Sequence, residues 1–77
     1  MKLEKFKKVE FKLQKEVLIN KGKKIEFTEQ QYYIYELYSY QSFFIEVIRR
    51  KRDKEIIEIN PFDDGQKLDF YTKGKKL

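Results

Sequence analysis

The chain has 77 residues, 40% of them charged, with a formal net charge of +5 and no His, Cys or Trp. That length fits one domain. The absence of His and Cys excludes disulfides, thiolate or imidazole catalysis and the usual zinc, haem and copper sites, while six Tyr and seven Phe argue against disorder.

Residues 1–8 alternate charged and apolar side chains and lack the apolar centre of a secretory signal. No apolar run approaches the roughly 18–20 residues that span a bilayer. No membrane association is therefore expected, and the cytoplasm is the expected location. The charge falls in blocks. Residues 1–25 carry nine Lys against three Glu, residues 26–48 carry four Glu and no cation, and residues 49–54 are basic again. Such an excess permits an acidic partner, although an A/T-rich coding bias would produce the same abundance of Lys.

In chain order, Val9, Phe11 and Leu13 alternate as in a strand, and a strand over residues 8–14 is expected. The competing helix would place Leu3, Phe6, Val9, Leu13 and Val17 on one face, with Lys and Glu as favourable helix formers. Asn20-Lys21-Gly22-Lys23 reads as a turn between extended residues 16–19 and 24–27. Residues 31–40 predict a strand, because five Tyr within nine residues make a poor helix, despite a capping-box pattern at Thr28 to Gln31.

The next two runs alternate Ile45, Val47 and Ile57, Ile59 with Glu46 and Glu58, and Lys51-Arg52-Asp53 separates them as a hairpin turn. Setting Ile45 opposite Ile59, Val47 opposite Ile57 and Arg49 opposite Glu55 matches apolar with apolar and charge with counter-charge. By the same rule Leu37 is expected opposite Ile45, and Tyr35 opposite Val47. These registers would align Glu36, Glu46 and Glu58 on one face as a row neutralised by Lys. Asn60-Pro61 is expected to stop the last long strand. Asp63 or Asp64 is then expected to cap a short helix carrying Leu68 and Tyr71.

The fold class so predicted is α+β and β-rich: an antiparallel meander of about five strands, closing in one form into a small half-barrel, with a short C-terminal helix. Only three glycines are present and no phosphate-cradling loop is formed by them. Ser and Thr have no His as base. No catalytic residue, cofactor or metal site is therefore expected. The carboxylate row lacks the tight Gly turn of a calcium loop.

Both sheet faces carry apolar residues. Ile34, Phe44, Ile48 and Ile56, with Tyr38 and Tyr40 at the rim, form a candidate protein interface, because a short chain covers two faces with difficulty. The expected function is a non-catalytic module that docks on another protein as an inhibitor or regulator, including one carried by a mobile element, or that closes a homodimer. The rival is a single-stranded nucleic-acid binder. It would stack bases on Tyr33 and Tyr35 and contact phosphates with Arg49, Arg50, Lys51, Arg52 and Lys54. The Gly-aromatic signature of an RNA-recognition sheet is missing.

Overall fold

A computed structural model describes residues 1–63. Within them lie two helices, α1 (Leu3–Lys8) and α2 (Phe11–Lys21), followed by four strands, β1 (Lys23–Glu29), β2 (Tyr33–Tyr40), β3 (Phe43–Arg50) and β4 (Ile56–Phe62). The strands form one antiparallel sheet in the order β1-β2-β3-β4, and both helices pack on one of its faces. The α+β class and the antiparallel meander agree with expectation. The fifth strand is not among the described elements, and the expected C-terminal helix lies outside the described residues.

The strand expected over residues 8–14 is helical instead. Val9 and Glu10 are extended and divide the two helices. The alternating residues Phe11 and Leu13 remain exposed, so the alternation has no buried face to serve. The residues that do bury are Phe6 in α1 and Leu18 in α2. Gln14 is buried with them, and its Nε2 donates to the Phe6 carbonyl at 2.8 Å. It is a second donor to that carbonyl at the end of α1, which the Val9 N–H reaches at 3.4 Å. Gly22 ends α2, its N–H donating to the Leu18 carbonyl at 2.9 Å. A Cβ at Gly22 would lie 2.7 Å from that oxygen, so the chain's close exit past the last turn of α2 requires glycine.

The helices cover Tyr38, Tyr40, Phe43, Ile45, Val47, Ile56 and Ile59. Phe6 is 0% exposed and seats its ring 5.6 Å from Phe43 and 6.3 Å from Tyr40, which itself meets Phe43 edge-on at 5.5 Å. Tilted and edge-on rings are the favoured aromatic arrangement. On the other face Leu37 and Glu46 are buried, and Phe44 stacks on Phe62 at 5.7 Å.

Both predicted registers are corrected. In the β3–β4 pair, Val47 lies opposite Ile59 and Ile45 opposite Pro61, two residues from the expected pairing. A two-residue shift keeps each side chain on its face. A bulge between Ile48 and Arg49 then brings Arg49 opposite Ile56. Pro61 does not stop β4, which continues to Phe62; on an edge strand it forfeits no interior ladder bond. In the β2–β3 pair the displacement is one residue: Tyr38 lies opposite Ile45, Glu36 opposite Val47 and Leu37 opposite Glu46. One residue reverses the faces of β2. The cause is a two-residue turn, Gln41-Ser42, in which Gln41 adopts φ 54° and closes the hairpin with Tyr40 facing Phe43.

Candidate functional site

In a meander the β1–β2 and β3–β4 turns fall at the same end of the sheet, and here they are tied together. The Lys51 N–H donates to the Tyr32 carbonyl at 2.9 Å, and the Lys51 Nζ reaches the Gln30 carbonyl at 3.3 Å and the Glu29 carboxylate at 2.9 Å. The β3–β4 turn closes through Arg50 N–H to the Glu55 carbonyl and Lys54 N–H to the Arg50 carbonyl, at 2.8 and 2.7 Å. Lys54, at φ 66°, takes the left-handed conformation that closes the turn. Asp53 braces the turn with its side chain. Its carboxylate accepts Arg50 Nε and Nη2 at 3.1 and 3.0 Å and the Glu55 N–H at 3.1 Å. The guanidinium, followed by that backbone N–H, holds the Asp53 carboxyl down at about 2.

A cavity of about 420 Å³ opens at this end, lined by Gln31, Tyr32, Tyr33, Arg50, Lys51 and Arg52. Tyr32 is 67% exposed and Tyr33 40% exposed. Tyr33 lies opposite Arg50 across the β2–β3 ladder, so a ring and a guanidinium share one face. Arg50 is aimed by Asp53 and Lys51 by Glu29. Arg52 is exposed and has no ion-pair partner among the described residues. Aromatic faces beside fixed and free cations can accept a flat ring and an adjoining anion.

The opposite face of the same end is organised around Glu36, which is buried. It accepts Arg49 Nε at 2.8 Å and Tyr38 OH at 3.0 Å, and its other oxygen lies 3.0 Å from Lys24 Nζ. Burial pushes this carboxyl up. The hydrogen bonds from Arg49 and Lys24, the charge of Arg49 and the Tyr38 hydroxyl outweigh it and hold the group below its ordinary value. Arg49 is therefore a partner of Glu36, and its Nη1 also donates to the Lys54 carbonyl at 3.0 Å. The expected row of three carboxylates does not form. Glu36 lies on the helix-covered face, whereas Glu46 and Glu58 share the other and are bridged by Asn60 Nδ2 at 3.1 and 3.2 Å.

Of the nucleic-acid candidates, the structure brings Tyr33, Arg50, Lys51 and Arg52 together. Tyr35 lies two residues further along the same face, and Arg49 and Lys54 belong to the opposite one. The six residues expected to form one protein interface do not share a face. Tyr38, Tyr40 and Ile56 are buried in the chain's own core, and Ile34 is buried on that side too, leaving Phe44 and Ile48 half-buried on the other. The reversed face of β2 moves Ile34, Tyr38 and Tyr40, and the bulge between Ile48 and Arg49 moves Ile56. Sequence reasoning passed over Tyr32 as a site residue, although its position in a turn beside the basic hairpin follows from the meander. Among the described residues no helix is long and apolar enough to cross a membrane. Comparison with protein-family models, curated proteins and solved structures finds no match.

Proposed function

We propose that the chain is a non-catalytic binding protein that takes single-stranded nucleic acid at the end of the sheet where Tyr32 and Tyr33 meet Arg50, Lys51 and Arg52. The observation that carries this reading is the cavity of about 420 Å³ lined by two accessible tyrosines and three cations. Every base offers a π-face, so such a platform binds without reading sequence. Arg50, fixed by Asp53, presents a set guanidinium edge, and Arg52 keeps its charge unspent for phosphate.

Anisotropy of a fluorescein-labelled oligothymidylate tests it. Affinity falls with salt at a slope of about −0.7 per neutralised phosphate. Arg52→Ala flattens the slope by about one phosphate. No binding at low salt ends the reading.

Docking on another protein, as an inhibitor or regulator, is retained as the second reading on one observation. Tyr and Arg in a pocket are the residue types that dominate protein-interface energetics. Its support now lies at Tyr32, Tyr33 and Arg50 and no longer at the buried apolar set.

A further inference from the structure

A second cavity, of about 390 Å³, lies at the same end of the sheet on the helix-covered face, lined by Lys24, Phe27, Glu29, Ile34, Glu36, Arg49 and Lys54. Phe27 is 55% exposed, with Lys24 Nζ 6.0 Å from its ring centroid. An exposed Phe alone would be ordinary. Here the ring opens on a cavity whose two carboxylates are already answered, Glu36 by Arg49 and Lys24, and Glu29 by Lys51. Lys54 has no ion-pair partner among the described residues. Together these form a second aromatic surface beside a cation that pairs with no carboxylate at contact distance among the described residues, its charge acting on Glu29 only through space. The Glu29–Lys51 ion pair stands between the two cavities, Lys51 lining the first and Glu29 the second.

We infer that this cavity is a second base-binding position for the same strand, with Phe27 as its stacking surface and Lys54 as its phosphate contact. The inference rests on the nucleic-acid reading above. The two cavities open on opposite faces of one sheet end, so a ligand that fills both must bend around the turns. A single strand can do so; a duplex keeps its bases stacked and stiff over far longer distances. The site therefore selects single strands and has a length threshold, below which only the tyrosine cavity is filled.

The test uses the full chain and labelled oligothymidylates from about two to about 16 nucleotides. Affinity is expected to step up at the length that reaches both cavities. Phe27→Ala removes the step, lowering affinity for the long oligomers roughly tenfold while leaving the shortest unchanged. Tyr32→Ala weakens binding at every length. Phe27→Leu keeps the apolar volume without the π-face and is expected to behave as Phe27→Ala, so a folding defect in the alanine variant leaves the inference testable. Oligomer binding that neither Phe27 variant changes overturns the second position alone. Failure of every oligomer to bind overturns the nucleic-acid reading, and this inference with it.

Discussion

Residues 1–25 hold nine Lys, and among the described residues only Lys7 and Lys24 enter ion pairs, with Glu4 and Glu36. Residues 49–54 hold five cations, and Arg49, Arg50 and Lys51 are each fixed to a carboxylate at 2.8 to 3.0 Å. Two basic regions of one small molecule thus use charge in opposite ways. The helical layer is anchored by Phe6 and Leu18, and its lysines lie at the surface, with Lys15 over the Phe11 ring and Lys7 beside Glu4. At the hairpin end Ile34 and Ile56 are buried beside Arg49, and ion pairs hold the cations beyond them. Free lysines supply long-range, salt-screened attraction. Braced cations beside tyrosines supply a shaped contact, because their side-chain freedom is already restricted before a ligand arrives.

The largest effect expected from this contrast is on the helical layer. Phe6→Ala should cost about 3–5 kcal/mol, the range for a fully buried Phe, measured by urea unfolding. If the layer were held by its charges, the loss would be slight and salt-dependent. Next comes Arg49→Ala, which leaves the buried Glu36 short of its closest cation. A loss of about 2–3 kcal/mol is expected, with most of it recovered when Glu36→Gln is added. A loss near zero would place Glu36 in contact with water.

The pH dependence sharpens the same point. The folded-state pKa of Glu36 lies below its ordinary value of 4.5. Its contribution is therefore complete above that pH and is lost as pH falls through the folded value. Stability should decline as pH falls below about 4.5, and Glu36→Gln should make the decline shallower. Asp53 behaves in the same direction between 3.8 and about 2. It is an exposed group, so its protonation should loosen the hairpin turn, followed through the Glu55 amide resonance. The smallest stability effect belongs to Lys12→Gln with Lys15→Gln, within about 0.5 kcal/mol. Their affinity effect should vanish at high salt, whereas that of Tyr32→Ala should persist.

How much of this was legible depends on what the pattern could count. The β-rich meander followed from alternation in β3 and β4 and from the basic turn between them, and the meander alone brings residues 30–32 beside residues 51–54. The face of β2 was misassigned because a carboxylate marks solvent in a periodic pattern. Glu36 instead points inward, neutralised by Arg49 and Lys24 from the two neighbouring strands, a pairing invisible until the strands are assembled. Tyr38 and Tyr40 then serve as core residues with Ile56, while Phe44 and Ile48 stay half-buried on the other face. At the N-terminus the alternation of Val9, Phe11 and Leu13 competed with a helical period. The helix prevails through Phe6 and Leu18, whose burial repays ordering the segment, and through Gln14, which donates to the Phe6 carbonyl.

The most direct test of the claim that the hairpin end is the binding site is amide and aromatic NMR of the labelled chain titrated with an oligothymidylate at moderate salt. The account predicts shifts concentrated at Tyr32, Tyr33, Arg50, Lys51 and Arg52, with the helical lysines scarcely moved. Shifts spread along α1 and α2, with the tyrosine rings unchanged, would contradict it.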